Sequence, residues 1–280
     1  MSAPQRQRVG DGPVIRFCVI TLTLILVALF LVLPLISIFY QALKPGVGHF
    51  LASLSTPDAL HAIGLTLFIA LLTVPVNTVF GVFLAWLVTR FDFIGRKLLM
   101  TLIDIPFAIS PVVAGLLYLL LYGNNGLLGA PLAEQGIRIM FAWPGIFLVT
   151  LFVTSPFVAR ELIPLMQQQG KAQEEAAITL GASGWQMFRR VTLPSIRWAL
   201  IYGVILTNAR AIGEFGAVSV VSGNIRGQTN TLPLHVELLY QDYQSAAAFA
   251  AASLLALMAL LTLALKTYVQ NKQAQKRQPL

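Results

Sequence analysis

The stretch Glu174 to Pro194, EEAAITLGASGWQMFRRVTLP, is a polar segment that lies between two long apolar segments. Good helix formers from Gln168 to Leu180 predict a short helix with acidic residues in its early part. Gly181 can take the positive φ that ends such a helix, and Ser183 is a typical N-cap for a second helix. Pro194 is expected to end this second helix. The stretch therefore predicts a helix–turn–helix that is large enough to bind another protein.

The composition indicates that this stretch belongs to a membrane protein. Of the 280 residues, 57% are hydrophobic and only 11% are charged, and the mean hydropathy is +0.77. A soluble domain is much less apolar than this. A membrane-spanning helix needs about 20 apolar residues. Six stretches of suitable length predict an all-α integral membrane protein with six transmembrane helices: Phe17–Tyr40, Ala62–Thr89, Leu98–Tyr122, Ala142–Ala159, Trp198–Ser222 and Ala246–Leu265.

The basic residues predict the orientation of these helices. With the N-terminus in the cytoplasm, 15 of the 19 Lys and Arg residues lie on the cytoplasmic side. This bias predicts an N-in, C-in topology and accounts for most of the net charge of +8 without nucleic acid, through contact with anionic lipid. The predicted domain is residues 17–265, with a cytoplasmic loop at about 160–197 and cytoplasmic tails at 1–16 and 266–280. The 15 residues are Arg6, Arg8, Arg16, Arg90, Arg96, Lys97, Arg160, Lys171, Arg189, Arg190, Arg197, Lys266, Lys272, Lys276 and Arg277.

The chain has no sequence motif for chemistry of its own. The P-loop pattern G-x-x-x-x-G-K-[ST] is absent, because the only Gly-Lys pair, Gly170-Lys171, is followed by Ala172. One cysteine, Cys18, excludes an intramolecular disulfide, and the three histidines show no metal-ligand spacing. We therefore expect a chain that is not an enzyme and that binds no cofactor or metal.

The polar stretch resembles a known family at a defined spacing. It reads Glu-Ala-Ala, three residues, Gly181, nine residues, then Val-Thr-Leu-Pro ending at Pro194. This resembles the cytoplasmic EAA loop of the permease subunits of binding-protein-dependent ABC importers. The alternative is an ordinary amphipathic connector between two spans, which any membrane protein can contain.

A second stretch resembles one branch of this family. Residues Asn208 to Ser222, NARAIGEFGAVSVVS, resemble the fifth span of the oxyanion permeases, which carry sulfate, thiosulfate or molybdate. The following residues, Gly223 to Leu234, are most similar to the W-type subunit of the sulfate/thiosulfate permease. A molybdate or tungstate permease remains an alternative because the branches share this core. A stand-alone anion channel or secondary carrier is an alternative from another class, although neither needs an ATPase-binding loop.

The resemblance implies a fold, partners and a coupling site. It implies a type I permease bundle in a bacterial-type inner membrane, which works with a second permease, a distinct T-type subunit. Two ATPase subunits would bind ATP and Mg, and an extracytoplasmic sulfate/thiosulfate-binding protein would deliver the substrate. The residues expected to couple this chain to the ATPases are Glu174, Glu175, Ala176, Ala177, Leu180, Gly181, Leu193 and Pro194.

Arg210 and Glu214 are the candidate site inside the membrane. A charge at the centre of a spanning helix costs about 2.5 to 3.5 kcal/mol on insertion scales, so both should face protein or water. Their spacing of four residues places them on one helical face, where they can pair. Two roles fit this pattern: the pair borders the translocation path and attracts an oxyanion, or it fixes this span to a neighbour. Gly213 and Gly216 favour close helix packing in either case.

Overall fold

The computed structural model describes the backbone of residues 13–277 and the side chains of residues 14–269. Every regular element in this part of the chain is a helix. Most of the tail predicted at 1–16 lies outside the described residues. The helices are α1 (Pro13–Val27), α2 (Leu33–Leu43), α3 (Val47–Leu54), α4 (Pro57–Arg90), α5 (Arg96–Ala108), α6 (Pro111–Tyr122), α7 (Gly129–Glu134), α8 (Trp143–Thr154), α9 (Pro156–Gln169), α10 (Ala172–Thr179), α11 (Gly184–Met187), α12 (Leu193–Ile212), α13 (Gly216–Ser222), α14 (Leu232–Gln241) and α15 (Ser245–Arg277).

Four continuous helical segments are long and apolar enough to cross a membrane. Each of them contains all or nearly all of one predicted span. They are Val14–Leu43, Pro57–Arg90, Trp143–Gln169 and Ser245–Val269. Two further stretches are bent helix pairs. α5 and α6 meet at 107°, and the helix ending at Ile212 meets α13 at 51°. The described residues therefore contain four candidate spans by length and composition, or up to six when each bent pair is counted as one span.

Two wide π-helical turns each lie just before a proline. Ala28–Val32 precedes Pro34, and Phe188–Thr192 precedes Pro194. A proline ring inside a regular α-helix clashes with the carbonyl of the residue four positions earlier. In both turns the residue before the proline instead donates to the carbonyl five positions earlier. The wider turn gives the proline ring more room, so the helix continues through both positions.

The bundle packs around α4, which contacts α8, α9 and α12. The apolar core has two main parts. One lies between α4, α6, α8, α13 and α14, and the other between α4, α9 and α12. Val158 and Leu162 of α9 are fully buried in the second part. The polar stretch from Glu174 to Pro194 is joined to the bundle at this second part, because it follows α9 and leads into α12.

Close contact between α4 and α9 depends on Gly81. A Cβ atom added to Gly81 lies 2.6 Å from the Cβ of Val158 and 3.0 Å from the backbone nitrogen of Ala159. Neither neighbour is the end of a flexible side chain, so the helices would have to separate.

We expect Gly81→Ala to lower the stability of the folded chain by about 1–3 kcal/mol, the usual effect of overpacking a core. The measurement is the thermal unfolding temperature in detergent. Gly64→Ala, on the same helix, is the matched control. An added Cβ there meets no atom within 4 Å apart from the adjacent backbone of its own helix. An equal effect of both substitutions would contradict this explanation.

The structure corrects several boundaries. The predicted third span, Leu98–Tyr122, is two helices, and the predicted fifth span, Trp198–Ser222, breaks between Ile212 and Gly216. The tail predicted from residue 266 continues α15 as far as Arg277.

Candidate functional site

The first helix of the polar stretch, α10, ends as the sequence predicts but begins later. Gly170 has a φ of 67° and separates it from α9, so α10 starts at Ala172 and not at Gln168. Gly181 has a φ of 88°. The N–H of Gly181 donates to the carbonyl of Ile178, and the N–H of Ala182 donates to the carbonyl of Ala177. These two hydrogen bonds form a Schellman motif, which fixes the turn after α10.

The second helix of the stretch begins with a capping box. The backbone N–H of Gln186 donates to Ser183 Oγ at 3.3 Å, and the N–H of Ser183 donates to Gln186 Oε1 at 3.0 Å. This confirms the predicted N-cap. The prediction that Pro194 ends this helix is wrong. The π-helical turn before it accommodates the proline ring, and the helix continues from Gly184 to Ile212.

Glu174 anchors α10 to the bundle. Its side chain is 9% exposed, and Oε2 lies 2.5 Å from Nε of Arg90 at the end of α4. Thr192 in the π-helical turn donates its hydroxyl to Glu174 Oε1 at 2.7 Å. Arg90 also donates to the carbonyl of Met166 at 3.1 Å, and Lys171 donates to the carbonyl of Arg90 at 3.0 Å. α10 is therefore fixed to the ends of α4 and α9 and to the helix that leads into α12.

The other predicted coupling residues lie mostly on the surface. Glu175, Ala176, Leu180 and Gly181 are exposed, Ala177 is partly exposed, and Leu180 has 88% of its surface free. Two further apolar residues extend this surface, Ile178 at 55% and Trp185 at 69% exposed. Leu193 is partly buried and Pro194 is exposed. Glu174 thus differs from Glu175. The buried carboxylate of Glu174 holds α10 in place, whereas Glu175 faces outward.

Arg210 and Glu214 form an ion pair at the break in the fifth predicted span. Arg210 Nη1 lies 2.6 Å from Glu214 Oε2, and the side chains are 32% and 1% exposed. The helix ends at Ile212, so Glu214 lies in the break and not on a continuous helical face. Its other oxygen, Oε1, accepts a hydrogen bond from the N–H of Ala217 at 3.0 Å. Glu214 therefore binds both Arg210 and the first turn of α13, while part of Arg210 remains accessible.

The two bent spans meet near this pair. A Cβ on Gly216, at the start of α13, would lie 3.2 Å from Cβ of Pro111, at the start of α6. A Cβ on Gly115 would lie 2.7 Å from the carbonyl oxygen of Ala217. Gly216 therefore permits the close packing that was predicted, whereas Gly213 has only its own helix nearby. The starts of two helices and one arginine are brought together within the bundle.

A polar cavity of about 510 Å³ lies at the opposite end of the bundle from the polar stretch. Its lining includes His49, Asp58, Arg226 and His235, and Arg226 is ion-paired with Asp242. His235 is only 4% exposed. Burial lowers the pKa of His235 below its ordinary value of 6.5; Arg226 also lowers it and Asp58 opposes the shift. This cavity was not predicted, because the histidines that line it are far apart in the chain.

We expect acidification to destabilise this end of the protein through His235. Above pH 6.5 the imidazole is neutral whether the chain is folded or unfolded; below it the unfolded chain takes up the proton first, so stability falls as pH drops through the folded pKa. Each unit of pKa difference corresponds to about 1.4 kcal/mol. Thermal unfolding between about pH 8 and about pH 5 measures the effect. His235→Gln should flatten the dependence of the unfolding temperature on pH, whereas His49→Gln, at an exposed residue, should leave it unchanged. Identical pH dependence in the unaltered protein and both variants would refute the assignment of the effect to His235.

The fold defines the class of protein. The model of the family described as binding-protein-dependent transport system inner membrane component matches residues 77–275, and the chain belongs to this family. A subunit in the crystal structure of a bacterial ABC transporter that imports the acidic polysaccharide alginate has the same fold. The TM-score is 0.75 at 18% identity, with coverage of 94% of this chain and 96% of that one.

Sequence relatives are similar over most of their length. The sulfate transport system permease protein CysW of Escherichia coli is 63% identical over 91% of this chain and 88% of its own. The chloroplastic sulfate permease 2 of Chlamydomonas reinhardtii is 54% identical over 89% of this chain and 67% of its own. The sulfate transport system permease protein CysT of Escherichia coli is 40% identical over 86% of this chain and 89% of its own. This chain is therefore a transport subunit of the permease type.

Proposed function

We propose that this chain is a permease subunit of an ATP-driven importer of sulfate and thiosulfate. The observation that carries the proposal is the identity of 63% over 255 residues to a sulfate transport system permease protein. The motif from Arg210 to Ala217, which resembles the oxyanion branch, supports the same substrate class. Membership of a binding-protein-dependent family argues against a stand-alone channel or secondary carrier.

The proposed location is a bacterial-type inner membrane. The chain would cross it six times, with both termini in the cytoplasm. Counting each bent helix pair as one span supports the number. The concentration of Lys and Arg in alternate loops supports the orientation. This topology places the polar stretch in the cytoplasm and the cavity around His235 outside.

The proposed partners are a second permease, two ATPase subunits and an extracytoplasmic binding protein. The similarity of this chain to both CysW and CysT proteins supports a pore made of two related, different permeases. ATP and Mg would bind to the ATPase subunits, because this chain lacks a P-loop. Lipid surrounds the remaining apolar surface.

The coupling loop would transmit movement of an ATPase to the bundle. The exposed residues Glu175, Ala176 and Leu180 would contact the ATPase as a short helix in a groove. Glu174 would act as a positioning residue, since its carboxylate already binds Arg90 and Thr192. Movement of α10 would then reach α4 and α12 directly, and alternating access would follow from rotation of these helices.

Arg210 and Glu214 would border the translocation pathway. Discontinuous spanning helices commonly form the substrate sites of transporters, and two such breaks adjoin here. Arg210 would provide positive potential for a divalent oxyanion, while Glu214 holds the arginine and limits its attraction for the anion. The alternative is an ion pair that only packs this span, and removing both charges together distinguishes the two roles.

The test of the proposed function is reconstitution of the complete complex in vesicles with its binding protein. We expect the binding protein loaded with sulfate or thiosulfate to stimulate ATP hydrolysis and uptake of labelled anion. The unloaded binding protein is the control. Stimulation only by molybdate or tungstate, or anion flux without nucleotide, would refute the proposal.

We expect Leu180→Asp to weaken binding of the ATPase subunits. The side chain is 88% exposed, so the substitution places a charge on the proposed contact without disturbing the core. Losing one buried leucine from an interface costs about 1.5–3 kcal/mol, and the added charge increases the loss. Co-purification of the ATPase measures the effect. Leu180→Met, which conserves volume, is the control and should retain the ATPase; equal yields for both variants would be evidence against this contact.

A further inference from the structure

An aromatic groove lies on the outer surface of α4 near the coupling loop. Its volume is about 270 Å³, and it is lined by Phe80, Phe83, Leu84, Trp86, Leu87 and Phe91. Phe83 is 61% exposed and Phe80 is 47% exposed, and both belong to a helix that is long and apolar enough to cross a membrane. The groove therefore offers an apolar surface at the level where α4 approaches the edge of the membrane.

A row of aromatic rings joins this groove to the coupling loop. The ring of Trp86 lies 5.6 Å from that of Phe91 and 5.5 Å from that of Phe188. Phe188 stacks on Trp185 at 5.8 Å. Tryptophan and other aromatic residues are enriched where a membrane meets water. The row therefore indicates that the segment containing Trp185 and Phe188 lies at the membrane surface.

Two arginines follow Phe188 directly in the chain. Arg189 and Arg190 are exposed, and neither guanidinium forms an ion pair or hydrogen bond with the residues that the structure describes. Nearby basic residues differ, because Arg90 pairs with Glu174 and Arg96 pairs with Asp92. Consecutive Cα atoms are about 3.8 Å apart, so the backbone of Arg189 adjoins Phe188, whose ring contacts Trp86 in the lining of the groove. Two positive charges without ion-pair partners in the described part of the chain thus directly follow the aromatic row that leads to the groove.

We propose that the groove and the two arginines form a binding site for an anionic phospholipid. An acyl chain would lie against Phe83 and its neighbours, and the phosphate would bind Arg189 and Arg190. Basic residues at a membrane surface contribute about 1 kcal/mol each toward anionic lipid. A bound lipid would hold the segment around Phe188 against α4, the same helix that carries Arg90. The inference requires only a membrane location and does not depend on the transported anion.

The test is native mass spectrometry of the intact complex released from nanodiscs that contain phosphatidylglycerol and phosphatidylcholine. We expect the unaltered protein to retain phosphatidylglycerol in preference, and Arg189→Gln/Arg190→Gln to reduce this retention several-fold without changing phosphatidylcholine. Arg16→Gln/Lys97→Gln removes the same charge elsewhere and should keep the preference. If the first double variant does not assemble, Arg189→Lys/Arg190→Lys is measured in its place. This variant preserves both positive charges, so we expect it to retain phosphatidylglycerol.

The groove is tested separately with Phe83→Ala. This variant should retain less phosphatidylglycerol, whereas Leu71→Ala, at a residue 71% exposed on the same helix, should not. Equal retention by the unaltered protein and Arg189→Gln/Arg190→Gln would overturn the proposal. An unchanged result for Phe83→Ala would also overturn it, because the retained lipid would then not depend on the groove.

Discussion

Glu174→Ala is expected to abolish coupled transport and to loosen α10, the helix that we propose contacts the ATPase. The substitution leaves the guanidinium of Arg90 buried without its carboxylate, and the hydroxyl of Thr192 without its acceptor. Removing one partner of a buried ion pair costs about 3–5 kcal/mol. Both the unfolding temperature of the purified chain and the anion uptake of the complex should fall. A large effect is expected because this carboxylate holds α10 to two other helices.

Glu175→Ala is the matched control for this prediction. It removes a neighbouring carboxylate that is exposed and forms no ion pair in the described part of the chain. It should weaken ATPase binding while leaving the unfolding temperature of the isolated chain unchanged. The exchanged pair Arg90→Glu/Glu174→Arg should recover part of the stability lost by Glu174→Ala. Normal stability and uptake in Glu174→Ala would show that the ion pair has no mechanical role.

Arg210→Ala is expected to reduce anion uptake by at least about tenfold, equivalent to about 1.4 kcal/mol of interaction with the anion. This substitution also leaves the buried carboxylate of Glu214 without a cation, so part of its effect could arise from lost stability. Arg210→Met/Glu214→Gln removes both charges and keeps side chains of similar length. The glutamine oxygen can still accept the hydrogen bond from Ala217.

The double variant separates the two roles of the pair. If Arg210 attracts the anion, Arg210→Met/Glu214→Gln recovers stability and basal ATP hydrolysis, but uptake remains low. If the pair only packs the span, the double variant recovers uptake together with stability. The measurements are the unfolding temperature, ATP hydrolysis without binding protein, and uptake of labelled sulfate in vesicles.

Local chemistry made the two helices of the polar stretch predictable, and tertiary packing limited that prediction. The positive φ of Gly181 and the cap at Ser183 depend on residues within the same few turns, so the sequence was sufficient. The prediction for Pro194 was wrong because the preceding turn widened to accommodate the ring. A widened turn depends on small changes along several residues, and no single residue type indicates it.

Contacts between distant residues explain what the sequence could not show. Glu174 and Arg90 are both charged residues beside spans, but nothing in the sequence indicates that they pair across 84 positions. The pairing of Arg210 and Glu214 was predicted from helical spacing, yet the helix ends between them. The pair survives because Glu214 also caps α13. The spacing of four residues predicted the ion pair, whereas the break in the helix after Ile212 depends on the packing of α13 against α6.

The bend of 107° between α5 and α6 has a consequence for solvent. The last carbonyl groups of α5 have no following helical turn to bind them. Hydrocarbon offers no hydrogen bonds, so such carbonyls are tolerated only beside protein or water. Ala108 and Ser110 at the bend are exposed. A bend of this kind within the hydrocarbon layer must therefore be hydrated or covered by another polypeptide on one side.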